Sequence, residues 1–375
     1  MKKAIGVIVT ILLLALCACG LAEVKINQKT FPDEAFRTYV TRFDLNQDEV
    51  LSDEEISQVT DIVVSSMEIQ NLKGIEAFTE LTFLDCYDNQ LKSMDLSRNT
   101  KLDYLRCNNN QLGKLDLSKN TALKHVDCNI NALTSLNLKK CAELEELYCE
   151  SNKLGTLDIS GCPKLRVYRC ALNNIKKLDC RANTELVELS CMLNQITALD
   201  VSSCVLLETL QCQNNKLKKL DISANSELSF FECDGNALTE LDITHNPKLA
   251  RVRCSMNDIA ALDLSNNPAL EFLDCFSNER MGTLDVTPCP ALLELHCDSI
   301  GLTELDVSQN PLLKILFCSW NSLEEVDLTH CPNLVRAVTE GEISYSDNAR
   351  TDYTLATGTD SFTVSYSNST KLITE

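Results

Sequence analysis

This 375-residue chain is poor in the residue types that most enzyme mechanisms need. Histidine occurs four times, at His125, His245, His296 and His330, and no H-E-x-x-H, G-x-S-x-G or phosphate-loop motif is present. C-x-x-C is also missing despite 20 cysteines, so neither a zinc ribbon nor a thioredoxin-type pair is available. His296 and Cys297 are adjacent on one expected strand, where neighbouring side chains face opposite ways, so imidazole and thiol cannot meet as base and nucleophile. Basic residues are outnumbered, 34 Lys and Arg against 54 Asp and Glu, and the net charge of −20 repels nucleic acid and anionic lipid. The apolar run at residues 4–16 is too short to span a bilayer. The expectation is a non-enzymatic protein with no zinc, no organic cofactor, no nucleic-acid partner and no transmembrane span.

Against these absences stands a strict period. Cysteine recurs every 21 residues at Cys86, Cys107, Cys128, Cys149, Cys170, Cys191, Cys212, Cys233, Cys254 and Cys275, then after one inserted residue at Cys297 and Cys318. A period of that length marks a solenoid, whose units bury their apolar faces only by stacking. The units read L-x-x-L-x-C-x-x-N-x-L-x-x-L-D-L-S-x-(N or C), in which L-x-C and L-D-L are short strands with an outward middle residue. Asn follows the cysteine by three positions in eleven of twelve units, Ile300 being the exception. Its carboxamide can both donate to and accept from the backbone of a buried turn and so bridge successive units.

This pattern resembles the leucine-rich repeat family, and within it the 21-residue, nested, cysteine-containing bacterial class of secreted and surface proteins that includes internalins. The resemblance covers residues 81–333, twelve units of 21–22 residues. It implies an α/β-type repeat solenoid, an arc or superhelix with a parallel sheet on its concave face. The ladder cysteine occupies a Leu position of the family and is expected to point inward as a small hydrophobe. Stacked Cβ atoms about 4.8 Å apart exceed the roughly 3.8 Å that a disulfide needs, so the thiols should be free. A second set, Cys141, Cys162, Cys204, Cys289 and Cys331, replaces the Asn of the second half-repeat, and Cys180 fills a Leu site.

Flanking segments complete the organisation. Residues 1–22 read as a secretory signal, released after Ala22; alternatively Leu16-Cys17-Ala18-Cys19 resembles a lipobox that would leave Cys19 lipidated. The short distance from Cys19 to the first expected helix favours release. Residues 23–60 read as a helical, EF-hand-like cap. Asp44, Asn46, Asp48, the Val50 carbonyl, Ser52 and Glu55 hold the calcium-ligand positions, with Glu49 where glycine is usual. Calcium is therefore expected, held weakly; the alternative is a helix-turn-helix with an acidic turn. Residues 61–80 form an atypical first repeat, and residues 334–375, rich in Ser, Thr and Tyr, read as a β-rich C-terminal cap with no sortase or wall-binding signal.

The outward positions of the first strand would form the concave surface. They include Tyr104, Arg251 and Phe272 at the third position and Arg106, Tyr148, Arg169, Arg253 and Phe317 at the fifth. Phe276 and Trp320 fall at the seventh and eighth. Nine of the twenty aromatic residues fall on this one face, and aromatics with Arg are typical of interaction hot spots. Phe272, Phe276, Phe317 and Trp320 should form one exposed apolar patch. The expected partner is a protein, or alternatively a glycan, at a cell surface; a structural spacer without ligand is the third reading. The outward Asp of L-D-L forms a ladder that should bond to the following Ser or Thr and to turn amides.

Overall fold

The computed structural model describes residues 23–340, 343–345, 363–367 and 370–375. The signal-peptide reading of residues 1–22, with Cys19, lies outside them. Among the described residues no helix is long and apolar enough to cross a membrane.

Each L-x-x-L-x-C segment forms a three-residue strand, and these strands align in parallel within a 15-stranded sheet that runs from Asp61–Val63 through Ile315–Phe317 and on to Thr363–Tyr366 and Ile343–Tyr345. Residue i pairs with residue i+21, as Tyr104 does with His125, and with i+22 across the insertion, as Phe272 does with Glu294. One position of the repeat thus becomes one column of side chains down the sheet. The even positions of every strand enter the core: Leu84, Leu105, Val126 and Leu147 are fully buried, as are Cys86, Cys107, Cys128 and Cys149. All eighteen cysteines among the described residues are buried and free. Burial suppresses the thiolate, pushing the Cys162 and Cys170 thiols up to about 12, so they lack the anion that attacks disulfides or substrates.

The second strand of the repeat is only partly realised. L-D-L segments pair in three places among the described residues: Lys114–Asp116 with Ser135–Asn137, Leu178–Asp179 with Leu199–Asp200, and Glu325–Asp327 with Lys371–Ile373. One face is therefore hydrogen-bonded throughout at strand spacing while the opposite face is not, which lets the stack curve toward the sheet. On that opposite face Asp95 accepts the Ser97 amide at 2.9 Å, and Asp242 accepts both the amide and hydroxyl of Thr244. These bonds hold the ladder aspartates below the usual carboxylate range.

Two polar ladders join the turns. In the first, Asn173 donates to the carbonyls of Cys149 and Cys170 and accepts the Leu154 amide, all at 2.9–3.1 Å. In the second, Asn246 donates to Ile222 and Asn225 at 3.0 and 2.8 Å, but its Oδ1 accepts nothing. All seven asparagines of this ladder share that orphan oxygen. Their cysteine replacements supply a donor and no orphan: Cys331 Sγ lies 3.4 Å from the Val307 carbonyl and 3.5 Å from that of Asn310. The second site needs a donor alone, and a thiol is enough.

Between strand and first ladder the chain reverses through a left-handed residue in every unit, from Asp88 (φ 55°) to Trp320 (φ 53°). Only one of these twelve is glycine; Ile130, Leu172, Leu193 and Met256 are among the others, and each is exposed. A left-handed non-glycine residue costs about 1–2 kcal/mol, so the stacking of the turn must hold it in place.

The N-terminal end is closed by the helix Glu34–Val40, capped by Asp33; its Phe36 and Val40, with Phe31 just before it, are buried with Phe78 of the first turn. Gly74 approaches Phe31 so closely that a Cβ would meet its ring at 2.2 Å. Tyr39 Oη accepts the Val63 amide at 3.0 Å, protecting the first edge strand. At the other end, where a β-rich cap was expected directly after the repeats, the helix Pro332–Glu340 comes first. The solenoid then resumes: Thr363–Tyr366 pairs in parallel with Ile315–Phe317, and Lys371–Ile373 with Glu325–Asp327. Without the Leu and Cys signature these residues still occupy the same register, because backbone pairing alone extends a parallel sheet.

The two ladders should answer one substitution differently. Asn173→Cys strands the Leu154 amide and should lower stability by about 1–3 kcal/mol, whereas Asn246→Cys should cost less than about 1 kcal/mol. Equal shifts in urea midpoint would contradict these roles.

Candidate recognition surface

The odd positions of the strands stack into three columns on the concave face. In the N-terminal half the third column is a pile of rings. Phe83 and Tyr104 lie 4.6 Å apart at 11°, Tyr104 and His125 4.3 Å apart at 2°, and His125 and Tyr148 5.4 Å apart at 43°. Glu146 ties the pile together, 2.9 Å from His125 Nδ1 and accepting from Tyr148 Oη at 3.2 Å. Burial and the Glu146 charge push the Tyr148 phenol up to about 12. Arg106 lies over the Tyr87 ring and 3.2 Å from Asp85; Arg169 donates to Glu188 at 2.5 Å beside Tyr148.

The C-terminal half is different. Arg251 lies 3.7 Å above the Phe272 ring centroid and 3.5 Å from Glu232. Arg253 sits among Glu232, Asp234 and Asp274 at 3.9, 3.8 and 3.6 Å. His296 has Glu294 2.6 Å from Nε2 and Asp274 3.8 Å from Nδ1, with Phe272 and Phe317 against its ring at 5.3 and 4.7 Å. Burial alone would lower the His296 pKa, but Asp274 and Glu294 outweigh it and hold it above its ordinary value. Asp234 has no such compensation: burial overrides Arg253 and pushes its carboxyl up to about 6.

The expected exposed patch is not assembled as such. Phe272 is buried at 8% exposure beneath Arg251 and against His296, Phe276 and Phe317 are half-buried, and Trp320 alone stands open at 39%. Alternation places Phe272 on the concave side but does not show that Arg251 of the preceding strand and His296 of the next column close over it. Sequence reasoning missed the burial of Glu232, Asp234, Asp274 and His296 and the charged cluster they form with Arg253. Aligning the fifth positions of consecutive units, Glu232, Arg253, Asp274 and His296, would have exposed their alternation of charge.

At the N-terminal end the residues 44–55 loop has a turn shaped as the calcium reading requires, with Glu49 at φ 63° and Val24–Lys25 paired antiparallel to Val50–Leu51. Its carboxylates, however, serve the backbone. Asp44 accepts the amides of Asp48 and Glu49, while Glu55 accepts those of Leu45 and Ser52 and the Ser52 hydroxyl. Asn46 and Asp48 close on each other, at 3.0 Å, and the Asp48 Oδ1 accepts the Val50 amide. Among the described residues no group of three or more His, Cys, Asp or Glu is placed to hold a metal ion. The donor types and the turn suit calcium; Asp44 and Glu55 would share their oxygens between it and the amides they already accept.

The in-register columns, the two ladders and the inward thiols define a leucine-rich repeat protein with a cysteine ladder. The chain is 32% identical to the functional domain of InlJ from Listeria monocytogenes, itself described as including a cysteine ladder, with a TM-score of 0.69 over 83% of this chain and 74% of that one. It belongs to the internalin family of bacterial leucine-rich repeat proteins. An internalin, InlF, from Listeria monocytogenes str. 4b F2365 shares the fold at TM-score 0.70 and 21% identity, over 81% of this chain and 94% of that one. In sequence alone, 71 residues are 35% identical to internalin J of Listeria monocytogenes serotype 4b (strain F2365), a stretch of 19% of this chain and 8% of that protein. No protein-family model matches the chain.

The Asp234 carboxyl gives a pH prediction. Its pKa is raised from 3.8 to about 6, so the folded state holds the proton more tightly. The sign follows: stability falls as pH rises between those values and stays lower above them. Asp234→Asn should raise stability at pH 7.5 by about 1–3 kcal/mol and change it little at pH 3.5. A variant less stable than wild type at pH 7.5 would contradict the placement.

Proposed function

We propose that this is a secreted or surface-exposed, non-enzymatic protein that recognises a protein partner through the concave face. The observation carrying this reading is the concentration of Tyr104, Tyr148, Trp320 and four arginines on one face of a rigid, in-register sheet, the side-chain types that dominate protein interfaces. A glycan partner would need open ring faces. Those of Phe83, Tyr104 and His125 are covered by one another and that of Phe272 by Arg251, which favours the protein reading. A non-enzymatic role is supported by the thiols, which are buried and held protonated, and by His296 facing away from Cys297.

Calcium is an accessory part of the proposal, bound weakly by Asp44, Asn46, Asp48, Val50, Ser52 and Glu55. The left-handed Glu49 supports it, since the reversal that glycine usually makes at this loop position is already present. The amides and hydroxyl that Glu55 accepts compete with calcium for its oxygens, which is why binding is weak.

One experiment covers both claims. With a partner isolated from surface extracts of neighbouring cells, Tyr104→Ala and Trp320→Ala should each weaken binding at least tenfold by calorimetry, while Asp221→Ala on the opposite face leaves it unchanged; about 1.4 kcal/mol per tenfold is well within what an aromatic anchor contributes. Wild-type affinity in both concave variants would remove the face from the interface. In thermal melts, added calcium should raise Tm in wild type but not in Glu55→Gln; no rise in wild type removes calcium.

A further inference from the structure

The concave face is acidic in a way that the whole chain is not. The third, fifth and seventh positions of the twelve units carry ten carboxylates, four guanidiniums and no lysine. The four guanidiniums are already engaged within the face: Arg106 on Asp85, Arg169 on Glu188, Arg251 on Glu232, and Arg253 among Glu232, Asp234 and Asp274. The face therefore has no cation to offer an acidic partner, and surplus carboxylate on both halves.

The surplus gathers at two places. In the N-terminal half, Asp127 and Glu150 lie on successive turns either side of Asn129, whose amide donates to Asp127 Oδ1 at 3.1 Å and whose Nδ2 donates to Glu150 Oε2 at 3.4 Å, and burial raises both carboxyls above their ordinary range. In the C-terminal half, Asp234 Oδ1 is enclosed at 5% residue exposure and accepts no hydrogen bond, and the neighbouring Gln213 Oε1, on the preceding turn, is in the same state. Arg253 is a poor donor to this pair: its Nε lies 3.8 Å from Asp234 and itself makes no hydrogen bond. Two buried acceptors on successive turns, one of them a carboxylate whose charged form the fold disfavours, call for a donor carrying positive charge and several N–H groups. Folding alone does not call for this arrangement, since Ser or Thr at these positions would avoid it.

We propose that the concave face takes an extended basic segment of its protein partner, with one Lys or Arg side chain at Asp127 and Glu150 and another at Gln213 and Asp234. Five strand spacings separate Asp127 from Glu232, whose strand leads into Asp234, and at about 4.8 Å per spacing Asp127 and Asp234 lie roughly 24 Å apart. An extended chain rising about 3.3 Å per residue covers that span in roughly seven residues, so the two cationic side chains should be about seven positions apart. The inference rests on the protein-recognition reading and adds the chemistry of the partner.

The test uses a random dodecapeptide display library selected on the immobilised full chain, followed by titration of the retained peptides. The expected result is enrichment of Lys and Arg, with at least a tenfold loss of affinity in the Asp127→Asn/Asp234→Asn double variant. Asp221→Asn/Asp242→Asn, which removes the same charge from the opposite face, should bind like wild type, and this separates a site from general attraction to an acidic protein. Equal losses in the two double variants would overturn the proposal. Retained peptides with no basic bias that nevertheless depend on Tyr104 or Trp320 would also overturn it, while leaving the concave protein site intact. Retained peptides indifferent to every concave substitution would remove both readings.

Discussion

Everything in this molecule depends on the side-chain amide of one asparagine in each turn except that of Ile300. Asn152, Asn173 and Asn194 each donate to the carbonyl of their own turn and to that of the turn before, and accept an amide from the preceding unit. A reversal that would otherwise leave several buried backbone groups unpaired is thereby satisfied and tied to its neighbour. Because the bond pattern repeats at a fixed offset, strand spacing, column register and the left-handed residue before each asparagine all follow from it. The flat ring pile of Phe83, Tyr104 and His125 is a consequence, since three side chains superpose only if their strands do.

The cysteines fill the same scheme from the apolar side. In the strand ladder a thiol occupies the space behind the sheet without a strong polar group to satisfy, and Cys128 Sγ reaches only the Tyr148 carbonyl at 3.4 Å. In the second ladder it replaces an asparagine whose oxygen has no donor, removing an orphan acceptor from the core. Cys180, in a Leu site, lies in the same region of the core as Tyr168, the largest fully buried side chain, which stands where neighbouring strands carry Leu147 and Leu189. A small residue in one layer beside a large one in another is how a close-packed core keeps its volume.

Much of this was legible because the period aligns residues that must stack. The cysteine ladder, the asparagine ladder and the inward leucines follow from counting by 21. Other features have no such signature. Left-handed turns usually announce themselves by glycine or asparagine, but here Ile130, Leu172, Leu193 and Trp320 adopt them because stacking overrides local preference. Alternation could place Phe272 on the concave face but not under Arg251, since that depends on how the side chain of the preceding strand in the same column leans. The tail beyond the repeats read as β; its helix Pro332–Glu340 and the resumption of parallel pairing at Thr363 carry no repeat residue to mark them.

The central claim is that the thiols are interior, protonated parts of the turn-to-turn scaffold rather than covalent cross-links. Alkylation with mass-spectrometric readout, run without reductant, tests it directly. Native protein should take up almost no label, and denatured protein should be labelled at all eighteen cysteines from Cys86 to Cys331. Disulfide-linked pairs surviving in denaturant, between neighbours of either ladder, would contradict the account.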